Sequence, residues 1–351
     1  MKKALIMVGT NPDGMGGIAR VVKLWMESGL FQEYDIKYLH TTGSPGEWKL
    51  FSLFSSLLRF LWYSIVYKSV YIHTASYNSF YRKSIFILLS VLLKKKIVLH
   101  IHPSFFFTFI NGFNGLKKRF FFSLLNRVDT FVVLTQEMRS NMKSLFPGKP
   151  VHLLRNPVSI DAMKNKHDIK REKNTLLFLG WYTQGKGVYD LVDAVSLLAT
   201  NGCGDIKLDF YGTKGREGLH RYVSEKGLTH CITVNGWADD DQKRDALYKA
   251  SLFILPSHTE GIPNVILEAM AARAPIISTL VGGLKEVLED GNTAIIVEPG
   301  NPRDLSEKIK FALNDSALRN RIAENAYQSA RQLYDLPKIR NDLSRVLKEL
   351  P

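Results

Sequence analysis

Short β-branched and apolar runs alternate with helix-length segments along almost the whole chain, and this alternation restricts the fold more than any other feature. Strands are expected at residues 4–8, 36–39, 69–73, 97–102, 130–134 and 151–154, and again at 175–179, 206–211, 232–234, 252–255, 275–278 and 294–297. Helical segments between them include 17–28, 49–67, 81–94 and 115–126. Strands separated by crossover helices form parallel sheets covered on both faces. The fold class is therefore α/β, with two doubly wound Rossmann-like domains facing across a cleft.

At 351 residues the chain suits two domains. The Lys-rich stretch 159–174 is poor in large apolar residues and reads as the linker. This places an N-terminal domain at 1–160 and a C-terminal domain at 161–330, with a helical segment at 331–351 able to cross back to the first domain. Doubly wound sheets bind ligands at the carboxyl ends of their strands, so the site is expected between the two.

Charge separates the halves. The chain carries 47 Lys and Arg against 33 Asp and Glu; residues 1–160 hold 21 against 7, leaving 26 against 26 for the remainder. Sixteen of the 20 Phe also precede Asp161. Composition of 45% hydrophobic and 23% charged residues excludes disordered and fibrous classes. Two cysteines, Cys203 and Cys231, are too few for a disulfide framework and lack metal-ligand spacing, which points to a reducing cytoplasm. No apolar run reaches the roughly 20 residues that span a bilayer, and the five apolar residues after Met1-Lys2-Lys3 read as a first strand rather than a signal peptide.

Three glycine- or acid-bearing loops carry the chemistry. The first strand runs into Gly9-Thr10-Asn11-Pro12-Asp13-Gly14-Met15-Gly16-Gly17. Such a loop can bring helix N–H groups to an anion, or make a tight turn. Gly14-x-Gly16-x-x-Ala19 also satisfies the loose dinucleotide fingerprint, but the second strand ends Tyr38-Leu39-His40 without the acid that ribose needs. Lys186, just before a helix after the strand at 175–179, is a diphosphate ligand or a solvated lysine. Glu260 stands in the loop after the strand at 252–255, and Glu268 in an apolar helix, where a donor must meet it: ribose hydroxyls, or a neighbouring Lys or Arg.

Pro256-Ser257-x-x-Glu260-Gly261-x-Pro263-Asn264-x-x-x-Glu268-Ala269-Met270 resembles the signature of the family 4 retaining glycosyltransferases, which have the GT-B fold. Gly16-Gly17, Ile101-His102, Arg155-Asn156-Pro157-Val158, Phe178-Leu179-Gly180 with Lys186-Gly187, and Val281-Gly282-Gly283-x-x-Glu286 follow the family in order and spacing. The resemblance implies that Lys186 binds the donor diphosphate, Glu268 the ribose and Glu260 the transferred sugar. Backbone groups of Gly261, Ile262, Pro263, Asn264 and Val265 would meet sugar and phosphate, Gly16 and Gly17 would close on the diphosphate, and His102 would lie beside the reacting carbon. His102, Lys186 and Glu260 are thus the candidate catalytic residues. A retaining transfer of this kind needs neither metal nor resident cofactor; the nucleotide sugar, expected to carry UDP, is a substrate.

The chain departs from the family where Trp181 stands in place of a frequent Arg; either Lys186 acts with backbone amides alone, or another cation such as Arg216 or Arg273 compensates. Asp239-Asp240-Asp241 reads as a helix cap rather than a metal site. His73, His100 and His102 have no thiol or carboxylate beside them, and His73 and His100 read as packed or hydrogen-bonded.

The basic, aromatic first half interleaves cations with apolar groups at 51–67, 81–96, 105–109 and 117–122. No nucleic-acid-binding pattern accompanies them. They suit an anionic membrane surface or, for the cluster at 117–122, a core stripe with a solvated charged face, and the first domain of the resembling family receives the acceptor, often a lipid-linked sugar. The expected activity is transfer to a glycan or lipid-linked acceptor in cell-surface polysaccharide synthesis, in the cytoplasm at the inner face of the membrane. The alternatives are a nicotinamide-dependent oxidoreductase and a non-catalytic binding protein of the same fold.

Overall fold

Each expected apolar run forms a parallel strand in the computed structural model, which describes residues 4–43, 49–103, 105–200 and 205–349; of Lys49, Leu50 and Thr200 only the backbone is described. Cys203 lies outside the described residues. The chain divides into two units, Met1–Pro157 with Leu336–Pro351, and Val158–Asp335.

The first unit runs β1 (Ala4–Gly9), α1 (Gly17–Glu27), α2 (Leu30–Glu33), β2 (Asp35–His40), α3 (Lys49–Tyr63), β3 (Ser69–Thr74), α4 (Asn78–Leu92), β4 (Lys96–Ile101), α5 (Phe106–Asn111), α6 (Gly115–Asn126), β5 (Thr130–Val133), α7 (Gln136–Leu145) and β6 (Val151–Leu153). Its sheet has the order β2-β1-β3-β4-β5-β6, all parallel. The central strands β1, β3 and β4 are buried along nearly their whole length, which is why they read as continuous apolar runs.

The second unit runs β7 (Thr175–Leu179), α8 (Val188–Thr200), β8 (Lys207–Tyr211), α9 (Arg216–Glu225), β9 (Ile232–Val234), α10 (Asp240–Lys249), β10 (Leu252–Leu255), α11 (Asn264–Ala271), β11 (Ile276–Ser278), β12 (Ile295–Ile296), α12 (Pro302–Asn314) and α13 (Ser316–Leu333). Its parallel sheet is ordered β12-β11-β10-β7-β8-β9.

The last helix, α14 (Leu336–Lys348), belongs to the first unit. Ile339, Leu343, Val346 and Leu347 recur at helical spacing and join a core made by Leu5, Met7, Trp25, Tyr34, Tyr71 and Val132. Full burial of each such aliphatic side chain contributes about 1.5–3 kcal/mol, and Arg340 adds an ion pair to Glu33 at 2.7 Å. The boundary falls where Val158 bridges Asp335.

Both strand orders reverse once. The chain leaves β1 for β2 on one side and β3 on the other; it leaves β7 for β8 on one side and β10 on the other. At such a switch point the two loops diverge and open a crevice at the carboxyl edge. Residues 10–16 follow β1, residues 180–187 follow β7 and residues 256–263 follow β10.

Candidate functional site

In the second unit the loops after β7 and β10 meet. His258 N–H donates to Gly185 carbonyl at 3.0 Å, and a Cβ on Gly187 would stand 2.1 Å from the Pro256 carbonyl oxygen. Gly187 also has φ 69°, a left-handed conformation that glycine adopts freely. This approach brings Lys186 Nζ to 2.6 Å from Glu260 Oε1. Glu260 is buried and also accepts from Ser257 Oγ at 2.8 Å, whereas Lys186 keeps 26% of its side chain exposed. The pair is therefore held from beneath and open at its ammonium end.

Glu268 lies buried in α11, and its carboxylate accepts from Lys243 Nζ of α10 at 2.7 Å. Of the donors the sequence left open, a lysine meets it. Pro263 caps α11 and Asn264 begins it, so Gly261 to Val265 form the turn and first residues of that helix; Ile262 is buried. Gly283 packs so closely under this turn that a Cβ there would lie 2.5 Å from the Gly261 carbonyl oxygen.

The cations named to offset Trp181 separate. Arg273 follows α11, at the opposite end from Asn264, and is bound to Glu324 at 2.8 Å and stacked on Tyr327. A residue between a helix and the next strand sits at the amino edge of the sheet, away from the loops, so Arg273 does not serve. Arg216 begins α9 at the carboxyl edge, with Nε 3.3 Å from the Val234 carbonyl. Lys214, which the sequence reading passed over, stands over the Trp181 ring at 5.2 Å; only the packing of adjacent loops brings them together, through Tyr182 N–H to Lys214 carbonyl at 2.8 Å. Asp239 caps α10 in a reciprocal box with Gln242, and Asp241 pairs with Arg244, so this acidic run is structural.

In the first unit, Gly16 caps α1 and Gly17 begins it; a Cβ at Gly16 would meet nothing within 4 Å. The loop is braced from below. Tyr38 hydroxyl donates to Thr10 carbonyl at 2.5 Å, Thr42 Oγ1 accepts from Asn11 N–H at 2.9 Å, and buried Lys83 donates to Gly9 carbonyl at 2.9 Å and to Thr41 Oγ1. Burial, followed by neighbouring Arg82, pushes the Lys83 ammonium down to about 7. The sequence placed Lys83 among the cations at 81–96 offered to a membrane surface, whereas the structure buries it completely.

His102 follows β4 by one residue, and β3 and β4 set His73 beside His100 in register. His73 Nδ1 lies 2.9 Å from His102 Nε2, and Tyr71 hydroxyl lies 3.1 Å from His100 Nδ1. Burial pushes His102 down to about 3 and the other two rings well below the usual range, so all three are neutral at pH 7. Among the described residues they are a group close enough to share a metal ion, with ligand atoms within 4.8 Å of one another and no carboxylate or thiol.

The family model described as glycosyl transferases group 1 matches residues 159–329. An uncharacterized glycosyltransferase of Methanocaldococcus jannaschii is 29% identical over 220 residues, 62% of this chain and 60% of that protein. The lipopolysaccharide glucosyltransferase WaaG of Escherichia coli is 28% identical over 190 residues, 53% of this chain and 50% of that protein. The chain thus spans about 60% or less of the length of these curated relatives. Among solved structures, a sucrose-phosphate synthase from Thermosynechococcus elongatus superposes with TM-score 0.82 at 15% identity, covering 99% of each chain. Anabaena HepE in complex with UDP and glucose superposes with TM-score 0.78 at 16% identity, covering 100% of each. These last two likenesses establish the GT-B fold.

Proposed function

With a second unit that belongs to the glycosyl transferases group 1 family, we propose that this protein is a retaining glycosyltransferase moving a sugar from a UDP-sugar to a glycan or lipid-linked acceptor. The observation that carries the proposal is the Lys186–Glu260 pair at the switch point of the second sheet. Lys186 holds the donor diphosphate, and its charge stabilises the departing nucleoside diphosphate where a metal would otherwise be needed. Glu260, fixed by Ser257, orients the transferred sugar. Glu268 takes the ribose hydroxyls, in exchange for or beside Lys243. The turn from Gly261 to Val265 presents α11's N-terminus to sugar and phosphate. In the first unit, Gly16 and Gly17 offer backbone N–H groups to an anion, and His102 is the side chain that contacts substrate. The same-fold HepE structure that holds UDP favours a uridine donor, and relatives named for lipopolysaccharide core and capsular polysaccharide synthesis favour a cell-surface product.

The acceptor side works against an anionic bilayer, at the cytoplasmic face. The surface is more specific than the sequence alone suggested. Phe51, Phe54, Leu58, Leu61, Trp62 and Ile65 recur on one side of α3 and its end, each between 44% and 76% exposed. Ile85, Leu88 and Leu92 are exposed on α4, which packs against α3 through Phe60 and Phe86 at 5.4 Å. Lys94 and Lys95 close α4, and Lys95 donates to the Ser64 carbonyl behind α3. The apolar groups near residue 120 divide: Leu116 and Phe120 are 84% and 50% exposed, while Phe121 packs on Phe80 and Phe113 and Lys117 covers the Phe113 ring at 4.6 Å. No described helix is long and apolar enough to cross a membrane.

The test is incubation of the full chain with UDP-sugars and a lipid extract, following UDP release and the anomeric configuration of the product. UDP release that depends on the extract, with retention, is expected. Release without acceptor, inversion, or no release with any donor overturns the reading.

A further inference from the structure

Lys186 is fastened to the β10 loop on both sides. Before it, the Gly185 carbonyl accepts from His258 N–H at 3.0 Å; after it, Gly187 packs directly on the Pro256 carbonyl. The His258 ring makes a third tie. Its Nε2 stands 2.5 Å from Oδ2 of Asp190, in the first turn of α8. A carboxylate only accepts, so Nε2 carries a proton and donates it. The segment that bears Lys186 is thus gripped at 185, 187 and 190 by residues 256 and 258, and Glu260, two residues further on, meets Lys186 at 2.6 Å.

The gripping loop is itself anchored. Thr279 Oγ1 donates to the Ser257 carbonyl at 2.7 Å and Ser278 Oγ to the Leu255 carbonyl at 2.8 Å, both from the end of β11. Gly300 lies beside the His258 ring, where a Cβ would come within 3.9 Å of Cε1 and Nε2. On the other side, α8 begins at Val188, two residues after Lys186, and Leu191 N–H donates to the Gly187 carbonyl at 3.0 Å. A bond to Asp190 therefore fixes where the start of the helix, and Lys186 with it, stands relative to Glu260. The His258 and Asp190 side chains keep 34% and 22% of their surface exposed. A pair this open contributes little to stability; its consequence is geometric.

We infer that His258 and Asp190 are positioning residues, whose bond clamps the start of α8 to the β10 loop and so holds Lys186 in place for the donor diphosphate. The inference rests on the proposed role of Lys186 in donor binding, while the clamp itself is measurable without any ligand.

Amide hydrogen exchange of the full chain reads the clamp, and calorimetric titration with UDP reads its effect. In Asp190→Ala the backbone N–H of His258, which bonds to Gly185, exchanges faster than in the wild type, while the urea midpoint stays close to the wild-type value. Kd for UDP rises about 10-fold in Asp190→Ala and in His258→Ala, as for the loss of one hydrogen bond to a charged group, and no further in the double variant. His258→Gln, whose amide N–H reaches Asp190 as the ring Nε2–H does, restores most of the affinity. An unchanged exchange rate in Asp190→Ala overturns the inference. So does wild-type UDP affinity in either single variant, or a double variant that sums the two losses. A wild type that binds no UDP yet shows the faster exchange in Asp190→Ala removes the donor reading and leaves the clamp standing.

Discussion

Lys186 Nζ and Glu260 Oε1 stand 2.6 Å apart although 74 residues separate them, because β7 and β10 are neighbours at the point where the strand order reverses. The carboxylate is buried while the ammonium keeps 26% of its side chain exposed, so the pair holds a cation at the carboxyl edge of the second sheet.

Removing one partner of this pair leaves the other without its counter-charge. Lys186→Met removes the cation from the buried Glu260 carboxylate, and we expect a loss of about 1–3 kcal/mol, discounted because Lys186 is partly exposed. Lys186→Met with Glu260→Gln should cost less than the sum of the single changes. Urea unfolding of the four proteins checks this; strict additivity would show that the pair is not coupled. Both single variants should lose donor use.

Glu268→Ala and Lys243→Ala distinguish a ligand from its support. If Glu268 takes the ribose, a thermal shift on adding UDP disappears in Glu268→Ala. Lys243→Ala should lower the melting temperature, since it removes the ammonium paired with a buried carboxylate, while retaining a shift with UDP. The reverse pattern would assign the nucleotide to Lys243.

Gly187→Ala places a Cβ 2.1 Å from a carbonyl oxygen at a residue with φ 69°. The β7 and β10 loops must move apart. A loss of about 1–3 kcal/mol in chemical denaturation is expected, with transfer impaired because Lys186 is the preceding residue. A variant as stable as the wild type would show that the loops are not held in this approach.

Lys83 makes stability depend on pH. Its folded pKa is lowered from 10.5 to about 7, chiefly by burial. Between these values the unfolded chain holds a proton that the folded chain has released. Stability from this group therefore rises with pH, by about 1.4 kcal/mol per unit, and is flat below 7. Unfolding measured from pH 6 to 9 should show this slope diminished by one proton in Lys83→Met. Equal slopes would place the ammonium in an ordinary environment.

Flotation with anionic vesicles tests the α3 surface. The wild type should float at low salt and less at high salt. Leu58→Ser with Trp62→Ser, both exposed, should abolish flotation while leaving stability within about 0.5 kcal/mol of the wild type. A wild type that stays at the bottom with anionic vesicles at low salt removes the membrane reading.

Strand periodicity needs no tertiary information, and all twelve strands lie within a residue or two of where the alternation put them. The family signature likewise sits in local sequence, from Pro256 to Met270. A buried central strand must be apolar whatever covers it, and a loop at a strand's carboxyl end must carry the same residues in any context. Which groups meet across the sheet is different in kind, since it depends on strand order and helix packing that no local pattern encodes. Strand order joined Lys186 to Glu260, helix packing gave Glu268 its partner Lys243, and the same topology placed Arg273 at the wrong edge. Only the fold set His73 against His102, drew α14 into the core of the first unit, and left the apolar face of α3 uncovered. The sequence by itself determined the elements and the chemistry their loops carry; the tertiary structure decided which side chains pair, because pairing over many residues is a property of the packed sheet.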